Sequence, residues 1–168
     1  MRGAPRWSAE RRRAILEDVS TTFAPTVPSR MRRSAELAPL SREHHEALAV
    51  ALRLRRATPP VLSEALARFG AFWADHGAAH FAVEEAVLTD DVVDDEGWHA
   101  LVARMAAEHR ELTALADVLL AGGELDDAHR VGERLRDHVR FEERVLFDVL
   151  ERRLDDATRA RLGRALGA

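Results

Sequence analysis

The chain contains no cysteine. That excludes disulfides, thiolate metal sites and cysteine catalysis, and it leaves the redox compartment open. Lysine is missing too, because all 25 basic residues are arginine. No function follows from that bias. Aromatic residues are scarce at 5 %. No apolar run approaches the ~18 residues that would mark a membrane span. The first residues do not show the basic start and apolar stretch of an export signal. Charge is nearly balanced, with a net of −4, so broad attraction to nucleic acid or to an anionic membrane is not expected. The expectation is a soluble, cytoplasmic protein with neither nucleic acid nor membrane as a partner.

What is present points to helix. The 168 residues suit one domain with a real core, and 46 % are apolar. Those are mostly Ala, Leu and Val, which with Arg favour helical over extended structure. Histidine is the abundant exception. His44, His45, His76, His80, His99, His109, His129 and His138 are dispersed at helical spacings.

Residues 1–37 differ from the rest. They are rich in Arg, interrupted by Pro5, Pro25 and Pro28, and read as an N-terminal arm. A short helix from Trp7 to Val19, capped by Ser8, competes with a mobile arm there. Residues 38–168 carry a regular pattern. A first helix is expected over about Pro39–Ala57, with Leu40, His44, Ala47, Leu48, Ala51 and Leu54 or Arg55 on one stripe. Thr58-Pro59-Pro60 ends it. A second runs to about Leu88, with Leu62, Leu66, Phe69, Trp73, His76, His80, Val83 and Val87 aligned. A third covers about Asp95–Leu120 with Leu101, Met105, His109, Leu112, Ala116 and Leu119, and Ala121-Gly122-Gly123 stops it. A fourth covers about Asp126–Arg153, with Val131, Leu135, His138, Glu142, Val145 and Val149 inward. Asp155-Asp156 caps a short last helix ending near Leu166. The fold expected is all-α, an up-down-up-down four-helix bundle with an N-terminal arm and a short C-terminal helix.

The second half echoes the first. Leu40-Ser41-Arg42-Glu43-His44 and Met105-Ala106-Ala107-Glu108-His109 both read apolar-x-x-Glu-His. His80 to Leu88 and His138 to Leu146 both read His-x-x-x-Glu-Glu-x-Val-Leu. On a helix, i and i+4 lie one turn apart on one face. His80 with Glu84, and His138 with Glu142, can therefore reach one ion each. A carboxylate can also bridge two ions with its two oxygens. Imidazole and carboxylate without sulfur favour a harder ion such as iron or manganese, with zinc as another occupant. An isolated His-x-x-x-Glu is usually a surface pair. Four inward polar positions on four apolar stripes are different, because burying them without a partner is costly.

These motifs resemble the hemerythrin family, the His-His-Glu cation-binding bundles, over about residues 38–153. His138-Val139-Arg140-Phe141-Glu142-Glu143-Arg144-Val145-Leu146-Phe147 is especially typical. The resemblance implies a left-handed bundle holding two iron ions in an oxo- or hydroxo-bridged centre that binds dioxygen or nitric oxide. Carried over by position, the ligands are His44, His80, Glu84, His109, His138 and Glu142. Oxygen carriers of the family have a second histidine one turn after the first on the third helix, where this chain has Thr113. The set is more similar to the bacterial four-His, two-Glu branch linked to nitric oxide, oxidative stress and iron-centre repair. That repair branch often carries an N-terminal cysteine, absent here. A ferritin-like site would need two Glu-x-x-His pairs, and only Glu96-Gly97-Trp98-His99 fits.

Three functions are consistent with these residues. The first expected is a di-iron protein that binds or reacts with dioxygen, nitric oxide or peroxide. The alternatives are a di-iron enzyme that turns over peroxide or nitric oxide or donates iron for repair, and a zinc-binding or metal-free structural or regulatory bundle. Nothing in the sequence separates binding from turnover, and the oligomeric state is open. His44 is preferred to His45, since Leu40 and Leu48 flank it at four residues. His76, one turn before His80 on the same stripe, is a candidate fifth histidine ligand or a residue that lines or supports the pocket. Glu43 and Glu108 could orient imidazoles of neighbouring helices, and Glu85 and Glu143 could hydrogen-bond around the site. His99 and His129 read as surface residues. Phe72, Trp73, Phe81 and Phe141 read as core.

Overall fold

The computed structural model describes residues 34–89, 92, 93 and 95–166. The arm, apart from residues 34–37, and its alternative helix from Trp7 to Val19 lie outside the described residues. The described chain is helical throughout. α1 spans Ala38–Arg55, α2 Leu62–Phe72, α3 Ala78–Val87, α4 Glu96–Leu120, α5 Leu125–Phe141, α6 Phe147–Arg153 and α7 Asp156–Ala165. α2 and α3 are one rod joined by a wide π turn over Trp73–Gly77, and α5 and α6 are one rod joined by a second over Glu142–Leu146. Four rods run up, down, up and down, and α7 comes after them.

The rods start and stop for local reasons. Asp95 accepts from the backbone N–H groups of Gly97 and Trp98 and so caps α4. Gly122 ends α4 with φ +114°, a conformation that costs glycine little. Glu124 and Asp127 form a reciprocal capping box at the start of α5. Asp155 caps α7 by accepting from Thr158 N–H.

Apolar side chains fill both ends of the bundle. At one end Leu40 of α1, Leu88 beyond α3, Met105 of α4 and Phe147 of α6 meet, and Leu162 of α7 joins them. Leu37, the last residue of the expected arm, belongs to this cluster and is buried. At the other end Leu54, Phe69, Ala116, Leu119 and Val131 meet. α1 and α5 approach closely because Gly132 has no side chain. A Cβ there would stand 2.8 Å from the Ala51 carbonyl oxygen.

The π turns correct the expected stripes. A π turn takes more residues per turn than an α-helix, so it rotates the residues beyond it. Val145, expected inward, is 41 % exposed, while Leu146 is fully buried. Val83 is likewise 42 % exposed, and Phe81 is buried instead.

Candidate metal centre

Between the two apolar ends lies a polar layer. His44, Glu84, His109, His138 and Glu142 are buried at 0–2 % exposure, and the His80 side chain is 10 % exposed. Each long rod contributes. α1 carries His44, α3 carries His80 and Glu84, and α4 carries His109. α5 carries His138, and the π turn after it opens on Glu142. The i, i+4 spacing puts each carboxylate one turn beyond its histidine on the same face.

All four imidazoles point Nε2 into the layer. His44 Nε2 and His80 Nε2 are 3.2 Å apart. Glu84 Oε1 lies 3.4 Å from His44 Nε2 and 3.2 Å from His80 Nε2. Its other oxygen, Oε2, lies 3.4 Å from His109 Nε2. Glu142 divides its oxygens in the same way. Oε2 stands 3.2 Å from His44 Nε2, whereas Oε1 stands 3.5 Å from His109 Nε2 and 3.3 Å from His138 Nε2. Two groups result, His44-His80-Glu84-Glu142 and Glu84-His109-His138-Glu142, each compact enough to hold a metal ion.

The spacing itself tests the fit. Donor atoms about 2.1 Å from one ion stand roughly 3.0–3.4 Å apart in octahedral or tetrahedral geometry. The separations here fall in or next to that range. Both oxygens of Glu84, both of Glu142, and Nε2 of His109 and His138 are buried and have no hydrogen-bond partner. Leaving so many buried polar atoms unpaired is expensive. A pair of cations would satisfy them together.

Within the layer the charges hold one another. Burial pushes His109 down, but the carboxylates of Glu142 and Glu84 outweigh it and lift it to about 10. Burial opposes the charged form of His44 as well, yet Glu142, Glu143 and Glu84 hold it well above its ordinary value. His80 is raised against its burial, mainly by Glu84. Burial pushes Glu84 up, and the histidines His109, His44 and His80 override that and keep it well below the usual carboxylate range.

A shell of glutamates surrounds the layer and takes the outward Nδ1–H groups. His44 Nδ1 donates to Glu143 at 2.9 Å, His80 Nδ1 to Glu43 at 2.7 Å, His109 Nδ1 to Glu85 at 2.8 Å, and His138 Nδ1 to Glu108 at 3.0 Å. Aromatic rings close the remaining sides. Phe81 stacks on His109 with centroids 3.9 Å apart, and Phe147 stacks on His44 at 5.4 Å. A cavity of about 20 Å³, enough for one water-sized molecule, is bordered by His44, His80, Glu142, Phe81 and Trp73. Glu43, His76 and His80 border both this cavity and an open groove that reaches α7.

The other histidines stand apart from the two groups. His45 is exposed and donates Nδ1–H to the Ser41 carbonyl at 2.7 Å. His76 lines the cavity and faces Glu46 at 3.4 Å, with a side chain 35 % exposed. Thr113 stands one turn beyond His109 and donates back to the His109 carbonyl at 2.9 Å. His99 is exposed. His129, expected at the surface, is half-buried and donates to the Ala57 carbonyl just past α1, at 2.9 Å. A bond across 72 residues leaves no local signal. Periodicity does not mark Phe147 as a site residue, and its place at the end of the typical family phrase is the only hint of it.

The Hemerythrin HHE cation binding domain model matches residues 36–150. That is most of the chain, and the protein belongs to the hemerythrin family. Comparison with curated proteins and with solved structures returned no match.

Proposed function

We propose that this chain is a non-haem di-iron protein that binds or reacts with dioxygen, nitric oxide or peroxide. On this reading His44, His80, Glu84 and Glu142 hold one ion, and Glu84, His109, His138 and Glu142 hold the other. The observation that carries it is the division of the two buried carboxylates. Glu84 and Glu142 each offer one oxygen to each histidine pair. An imidazole-carboxylate set without sulfur suits iron. When bound, the iron pair would supply redox chemistry and coordination positions for a small molecule.

The chain's own groups do the rest. With metal bound the four imidazoles would present Nε2, and the outer glutamates would accept from Nδ1–H. The two carboxylates balance part of the cationic charge. Phe81 and Phe147 exclude water from two flanks. The small cavity beside His44, His80 and Glu142 admits a molecule of two or three atoms and little more.

Anaerobic loading with ferrous iron should give two irons per chain, and admitting oxygen or nitric oxide should produce visible absorption bands. One zinc per purified chain with no such bands would sink the proposal. Steady consumption of peroxide or nitric oxide, lost in His80→Ala, would move the reading from binding to turnover.

A further inference from the structure

The four outer hydrogen bonds share a direction. Glu43 of α1 holds His80 of α3. Glu85 of α3 holds His109 of α4. Glu108 of α4 holds His138 of α5. Glu143, in the π turn after α5, holds His44 of α1. Every glutamate reaches to the next rod in chain order, and the last returns to the first. In sequence, each is the immediate neighbour of an inward residue on its own rod: Glu43 of His44, Glu85 of Glu84, Glu108 of His109 and Glu143 of Glu142.

The links are not equal. Glu108 is 5 % exposed. Arg104 Nε donates to it at 2.8 Å, and the Arg134 guanidinium stands 3.5 Å away. Arg104 is itself fixed over the Phe141 ring, 3.8 Å from its centroid. Glu143, 26 % exposed, also accepts from Ser41 Oγ at 2.6 Å. The Glu43 side chain is 39 % exposed and that of Glu85 is 45 %. Water can replace an exposed acceptor, but it cannot easily replace Glu108.

We infer that Glu43, Glu85, Glu108 and Glu143 form a closed ring of positioning residues, which turns all four imidazoles Nε2-inward before metal arrives, with Glu108 as its anchor. The ring rests on the proposed reading of His44, His80, His109 and His138 as ligands. It adds a division of labour within the duplicated motif. One glutamate of each neighbouring pair faces the ions, and the other faces the imidazole on the next rod. Because every link crosses between rods, the packing of the bundle sets the orientation of the donors. Binding then loses less to ordering the side chains.

The test uses the full chain labelled with ¹⁵N-histidine, metal-free and zinc-loaded, with the variants Glu43→Ala, Glu85→Ala, Glu108→Ala, Glu143→Ala and Glu108→Gln. NMR of the metal-free protein should show Nδ1–H protons protected from exchange on all four imidazoles. Each alanine variant should lose the protection on the partner imidazole alone. In the zinc-loaded protein every metal bond should be through Nε2. Glu108→Ala should weaken zinc binding by about 10–100-fold, as removal of such supports generally does, and Glu43→Ala and Glu85→Ala by less. Glu108→Gln keeps an acceptor oxygen, so it should restore the His138 proton. It also serves as the probe if Glu108→Ala does not fold. Zinc bound through Nδ1, or protection unchanged in the variants, overturns the ring. If the protons respond but the wild type takes up neither zinc nor iron, the ring stands and the di-iron reading falls. If the wild type loads two metals and the protons do not respond, the ring falls alone.

Discussion

The ends of the bundle and its middle obey opposite rules. At the ends, buried residues such as Phe69, Leu54, Leu146 and Leu150 are apolar and need no hydrogen-bond partner. In the middle, six inward groups are polar, and the atoms that Glu84, Glu142, His109 and His138 leave without a hydrogen bond oppose burial. The difference teaches how the polar layer keeps its shape. The apolar ends hold the rods together, and the outer glutamates hold the imidazoles. The middle layer is kept in a shape it would not choose alone, a common arrangement where binding requires preorganised donors.

That contrast can be broken from either side. The largest effect is expected from Glu84→Leu. Glu84 faces both histidine pairs, so one substitution should abolish iron loading at both positions, as measured by metal analysis after desalting. The rise in melting temperature on adding iron should vanish with it. Phe69→Ala strikes the apolar end. It should cost about 3–5 kcal/mol in denaturant unfolding, by the same amount with and without iron, while two irons still bind.

The metal-free protein should also show its polar layer in pH dependence. His109 is raised to about 10, so its contribution is complete below its unfolded value near 6.5. It is lost as pH climbs from there to about 10. Burial pushes Glu108 up, but His138 and Arg104 outweigh it and hold it at about 2. Its contribution is present above its ordinary value of 4.5 and is lost as pH falls towards 2. Thermal melts of metal-free protein should therefore decline on both sides of a plateau between about pH 4.5 and 6.5. Iron requires neutral imidazoles, so loading should release protons and weaken as pH falls. The smallest effect is expected from an ion pair on the solvent side of the bundle. Arg55→Ala removes a pair with Glu133 whose side chains are 28 % and 48 % exposed. It should change stability by less than about 1 kcal/mol and leave iron content unchanged.

Much of this was legible in the sequence because helices write their contacts locally. The cap at Asp155, the stop at Gly122 and the His80/Glu84 and His138/Glu142 pairs all follow from spacings of one turn or less. The preference for His44 over His45 came from the same periodicity. What stayed hidden depends on departures from that period or on contacts between rods. The two π turns shifted Val83 and Val145 outward, because a stripe drawn at constant period cannot register a wider turn. The partners of Glu43, Glu85, Glu108 and Glu143 lie 24 to 99 residues away. For Glu43 and Glu108, adjacency to a histidine suggested the role but not which imidazole each would hold.

The most direct test of the central claim is a crystal of the iron-loaded protein measured at the iron absorption edge. The account predicts two anomalous peaks in the polar layer, both bordered by Glu84 and Glu142. One should sit about 2.1 Å from Nε2 of His44 and His80, and the other at that distance from Nε2 of His109 and His138. A single peak, or iron held at His76 or elsewhere with the layer empty, would contradict it.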